Sequence, residues 1–190
     1  AGTGKTVLNS NIFYELYCQE EEKDNAEFKC CMVVNHDEQV KVYSDIAKKL
    51  GITEKYGEVV SKASTFLNRH KDLDSVDVVF IDEAHLLFTQ GNQGYSGKNQ
   101  LDDIIKRAKV VVIVFDENQI LRMDQYWEKQ MIDRYRNKAI EQQNHITLTK
   151  QLRMQADNET LAWIDAFTKK QIINKIPHHD YEIKIFDSPE

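Results

Sequence analysis

Compact apolar runs recur along the chain: "FKCCMVV" over residues 28–34, "VDVVFI" from Val76 to Ile81, and "KVVVIVF" from Lys109 to Phe115. Each reads as a strand, and the last two stop at an acid, Asp82 and Asp116. Between them the apolar positions fall at helical spacing. Residues 5–19 place Val7, Leu8, Ile12, Phe13 and Leu16 along one helical face. "DEQVKVYSDIAKKLG" repeats Val40, Tyr43, Ala47 and Leu50, and Gly51 can end that helix. Residues 62–71, "LDDIIKRA", the long polar "MDQYWEKQMIDRYRNKAIEQQ" and "DNETLAWIDAFTKK" predict further helices, and "HITLT" a further strand. The glycines of "GNQGYSGKNQ" mark a flexible loop.

Continuous apolar runs alternating with amphipathic helices predict an α/β fold, a buried parallel sheet flanked by helices on both faces. The only prolines, Pro177 and Pro189, bracket "HHDYEIKIFDS", in which "YEIKIF" alternates like an edge strand. Residues 1–176 therefore read as one domain. Residues 177–190 read as a linker or the start of something further.

Bulk composition changes this picture little. At 190 residues, 41% hydrophobic and 29% charged, the chain has an ordinary soluble composition. No run reaches membrane-spanning length, so the expectation is a cytoplasmic protein with no membrane partner. A formal charge of −6 excludes a wholly basic nucleic-acid binder but not a local basic groove. Cys18, Cys30 and Cys31 have neither metal-ligand nor disulfide spacing and read as reduced thiols. The neighbours Cys30 and Cys31 should point to opposite faces of their strand. His178 and His179 have no matching ligands nearby and support no metal site.

Candidate chemistry gathers at four places. "AGTGKT" opens the chain and matches the right-hand part of G-x-x-x-x-G-K-S/T through Gly4, Lys5 and Thr6. Gly2 and Gly4 permit a tight turn whose N–H groups face a phosphate. Lys5 would reach the β- and γ-phosphates of a nucleotide, and the Thr6 hydroxyl would ligate Mg2+. A chance match at a glycine turn is the plain alternative. Next, "VVFIDEAH" puts Asp82 and Glu83 at the end of a buried strand, where open α/β sheets bind ligands. Asp82 is placed to hold Mg2+, and Glu83 to polarise an attacking water as general base. Acids at a helix start are the competing explanation, and the pairing with the opening loop argues against it.

The third place, "VVIVFDENQ", sets Asp116 and Gln119 directly after an apolar run. Gln119 can touch both the γ-phosphate and the attacking water, or it can belong to a polar turn. The fourth, "TKQLRM", carries Arg153, whose planar fork suits phosphate oxygens, although an arginine after a strand is usually a surface residue.

In this order the four stations resemble the first motor domain of superfamily one DNA/RNA helicases, and most closely the bacterial Schlafen-type helicase-like ATPases. Those share "FIDEAH", "FDENQ" and a Q-F/L-R element followed by a helical "WID" stretch, here Trp163, Ile164 and Asp165. The resemblance runs from Ala1 to about Lys170. It implies a RecA-like P-loop NTPase domain using ATP and Mg2+. Gly2, Thr3, Gly4, Lys5 and Thr6 would cradle phosphates, and Asp82 and Glu83 would serve Mg2+ and water. Gln119 would sense the γ-phosphate and Arg153 would stabilise the transition state. His85 would link this site to the third motif or to a nucleic-acid path, with Asn35 and His36 as candidate contacts to a nucleic-acid strand.

The same likeness implies that the strand before the loop and a second motor domain are missing from the chain. Translocation along single-stranded DNA or RNA needs two such domains. Removing an interior strand should leave a gap, a replacement strand such as "YEIKIF", or an edge that pairs with another chain. Two other functions remain open on sequence: a P-loop ATPase switch acting on a protein partner, and a catalytically inactive fragment.

Overall fold

The structure, a computed structural model, describes residues 3–91, 95–116, 127–149 and 156–169, with residues 171, 172, 175, 184 and 188. It divides into two compact units, Thr3–Thr149 and Lys150–Glu190. The first unit contains the strands β1 (Cys30–Val33), β2 (Val60–Ser61), β3 (Val76–Ile81) and β4 (Ala108–Ile113). They form one all-parallel sheet in the order β2-β1-β3-β4. Its helices are α1 (Lys5–Glu22), α2 (Asp37–Lys49), α3 (Ile52–Tyr56), α4 (Ala63–Arg69), α5 (Gln100–Ile105) and α6 (Lys129–Glu141). In the second unit, α7 (Asn158–Thr168) starts at Asp157, whose carboxylate accepts from the N–H groups of Glu159 and Thr160.

The runs of β1 and β3 are continuous because both faces of the sheet are covered there. Cys30, Met32, Val34 and Phe80 face Phe13 and Tyr17 of α1, Tyr43 and Ala47 of α2, and Ile52 of α3. Cys31, Val33, Val79 and Ile81 face Ala63, Phe66 and Leu67 of α4, Leu101 and Ile104 of α5, and Trp127. The adjacent cysteines thus divide between the two faces, and burial pushes the Cys31 thiol up to about 12, where it stays protonated. Cys18, by contrast, is exposed.

Three sequence expectations change. The buried stripe of α1 is Asn9, Phe13 and Tyr17, whereas Val7, Leu8 and Ile12 are exposed. "HITLT" forms no strand: residues 144–149 are irregular and Ile146 is 78% exposed. An alternating segment without a hydrogen-bonded neighbour gains nothing from extension. The helix predicted over "MDQYWEKQMIDRYRNKAIEQQ" starts, among the described residues, only at Lys129. Its Met131, Ile132 and Tyr135 pack against the core. Two elements, α3 and the two-residue β2, are too short to leave a periodic signal.

Before residue 150 the sheet has four strands among the described residues. There β4 pairs only with β3, and its Val110 is 53% exposed. "YEIKIF", named as a replacement strand, lies outside the described residues except for Lys184.

Candidate functional site

Parallel pairing aligns the strand ends. Val33 lies opposite Ile81, and Ile81 opposite Ile113, so the residues that follow β1, β3 and β4 leave the sheet at one edge. The ladder continues just past the strands: the Asp82 N–H donates to the Val33 carbonyl at 3.0 Å, and the Ala84 N–H to the Val114 carbonyl at 2.8 Å. Glu83, between them, adopts a left-handed backbone (φ 51°) that non-glycine residues rarely occupy. A 3-10 turn, Ala84–Leu86, follows at once.

Helix α1 begins at the same edge. Gly4 caps it with φ 78°, a conformation that glycine adopts without steric cost. No side chain caps this terminus, and its first turn carries no acid. The free N–H groups and helix dipole there favour an anion. Lys5 Nζ lies 3.3 Å from Asp116 Oδ2 and 3.3 Å from Thr3 Oγ1. The Thr6 hydroxyl donates to Asp82 Oδ1 at 3.3 Å.

Asp82 is buried, with 1% of its surface exposed, and so is Asp116 at 7%. Besides Thr6, Asp82 accepts from the Tyr43 hydroxyl at 2.9 Å and from the Glu83 N–H at 3.0 Å. Burial, and then the neighbouring Asp82 charge, push the Tyr43 phenol well up, so it remains a donor. Carboxylate and hydroxyl oxygens are hard donors that suit Mg2+, which takes one or two carboxylates and fills its other positions with water and phosphate. Thr6 and Asp82 could hold such an ion. Among the described residues no group of three or more His, Cys, Asp or Glu side chains forms a metal cage.

His85 is buried edge-on to Phe115, with ring centroids 6.0 Å apart. Burial pulls its pKa below the ordinary histidine value, against the raising effect of Glu83, Asp116 and Asp82, which keeps the ring neutral near pH 7. Its carbonyl accepts from Trp127 Nε1 at 3.2 Å.

Asn35 turns out to be committed inside the fold. Its Nδ2 donates to the Leu86 carbonyl at 2.9 Å, and its Oδ1 accepts from the Ala63 N–H at 3.2 Å. It therefore clamps the turn after Glu83 to the start of α4. Asn35→Ala is expected to lower unfolding free energy by about 1–3 kcal/mol in urea titrations. His36, which precedes α2, is exposed.

The structure thus brings together Thr3, Gly4, Lys5, Thr6, Asp82, Glu83 and Asp116 at one sheet edge. Gly2, Gln119, Arg153, His178 and His179 lie outside the described residues. Sequence reasoning missed Tyr43 as a partner of Asp82, because helical periodicity marked it only as core.

Comparison with known proteins bears on this edge. The family model described as "Schlafen group 3, DNA/RNA helicase domain" matches residues 1–190. The chain belongs to that family. This Schlafen group 3 domain is also 32% identical, over 190 residues, to the uncharacterized protein YPL245W of Saccharomyces cerevisiae. The match covers 93% of the chain and 41% of that relative, so the chain spans about two fifths of the relative's length. No described helix is long and apolar enough to cross a membrane.

Proposed function

We propose that this domain binds ATP with Mg2+ and hydrolyses it, as the first motor domain of a helicase-like ATPase that acts on single-stranded DNA or RNA. One observation carries the reading: Lys5 and Thr6, at the start of α1, meet Asp116 and Asp82, which lie 111 and 76 residues further along the chain. The helicase-domain family supports the nucleic-acid part.

In this reading the loop through Thr3 and Gly4 and the start of α1 receive the phosphates, and Lys5 turns from Asp116 to the β- and γ-phosphates. Thr6 and Asp82 would hold Mg2+, which when bound would offset the charge of the phosphates. Glu83 takes a proton from the attacking water. By the resemblance, Gln119 senses the γ-phosphate and Arg153 stabilises the charge that develops on it. Movement along nucleic acid would be a property of the whole protein, using the second motor domain that the resemblance implies.

ATP turnover by the full-length protein should rise when single-stranded DNA or RNA is added. A turnover rate that ignores both would remove the helicase reading and leave an ATPase switch acting on a protein partner.

A further inference from the structure

We propose that Tyr43 is a positioning residue: its hydroxyl holds one oxygen of Asp82 so that the other faces Thr6 and a bound Mg2+ ion. The proposal rests on the Mg2+–nucleotide reading of this edge. Tyr43 lies on α2, 39 residues before Asp82, and is buried. Its phenol donates to Asp82 Oδ2 at 2.9 Å. The Glu83 N–H and the Thr6 hydroxyl both address the other oxygen, Oδ1, at 3.0 and 3.3 Å. The two oxygens of one carboxylate thus have separate tasks.

The terminal torsion of an aspartate is soft and nearly two-fold, so the side chain alone does not hold this division. Tyr43 can hold it because its own backbone is tied down: the Tyr14 hydroxyl on α1 donates to the Tyr43 carbonyl at 3.0 Å. Helix α1 also carries Thr6, so the hydroxyls of Thr6 and Tyr43 reach Asp82 from two helices that are bonded to each other. Core packing needs only the ring of Tyr43. A phenylalanine would fill that volume, and the hydroxyl is what acts on Asp82. Groups that orient a metal's ligands commonly change its affinity about 10–100-fold when removed.

The test uses the 190-residue chain, Mn2+ as a paramagnetic stand-in for Mg2+, and a non-hydrolysable ATP analogue. Free Mn2+ is read by electron paramagnetic resonance, and analogue affinity in EDTA is measured separately. Tyr43→Phe should weaken Mn2+ binding in the ternary complex about tenfold or more, with analogue affinity in EDTA unchanged. In an Asp82→Asn background the same change should add no further loss. Unchanged Mn2+ affinity in Tyr43→Phe would overturn the proposal, as would an equal loss with and without metal. A Tyr43→Phe chain that no longer melts cooperatively would assign the hydroxyl to folding and overturn it too. If the unmodified chain shows no analogue-dependent Mn2+ binding, the underlying site reading fails first, and that result is distinct from the others.

Discussion

Lys5→Ala is expected to lower ATP turnover by about 10²–10³-fold, the usual loss when one preorganised donor to a transition-state charge is removed. The lysine stands at a helix start that no side chain caps, with its ammonium 3.3 Å from Asp116 and its side chain 26% exposed. It is therefore both within reach of solvent-borne phosphate and already held near a buried carboxylate. Loss of Lys5 also withdraws a cation from beside Asp116, so a modest loss of stability should accompany the loss of activity. Turnover is measured at saturating Mg2+ beside a melting curve of the same preparation. A folded Lys5→Ala protein with normal turnover would show that the edge at α1 is not where ATP reacts.

The largest effect on stability is expected at Phe13. Its side chain has no exposed surface, and its ring lies 5.0 Å from Tyr14, 5.3 Å from Tyr17 and 5.7 Å from Phe80, all edge-on. Phe13→Ala should cost about 3–5 kcal/mol, through lost burial and the cavity left between α1 and the sheet. That approaches the whole stability of many domains, about 5–15 kcal/mol. Val7→Ala on the same helix, at a site 72% exposed, should change stability by no more than about 0.5 kcal/mol. Urea midpoints of the two variants compare them directly. Equal effects would mean that the helix packs through the Val7 face instead.

Much of this architecture was legible in the sequence. The strands at Cys30–Val33 and Val76–Ile81 stand out because both of their faces are covered, which leaves unbroken apolar runs, and Ala108–Ile113 is as apolar although Val110 on this edge strand is exposed. Their parallel register then puts the acids that end two of those runs on one edge, as the sequence reading expected of Asp82 and Asp116. What stayed hidden depends on partners distant in sequence. The inward face of α1 is set by the fit of Phe13 and Tyr17 against Met32 and Phe80 rather than by a count of apolar positions. Tyr17, an aromatic with a polar end, packs its ring in the core while its hydroxyl donates to the Cys30 carbonyl. The role of Asn35 stayed hidden because its partners Ala63 and Leu86 lie 28 and 51 residues away. "HITLT" has the alternation of a strand, but alternation does not supply a neighbouring strand.

Fluorescence titration of an ATP analogue into the 190-residue chain, with and without Mg2+, tests the central claim most directly. The account predicts micromolar binding that strengthens with Mg2+, weakens in Asp82→Asn only when Mg2+ is present, and is lost in Lys5→Ala. Binding that is absent, or that is unchanged by both substitutions, would contradict it.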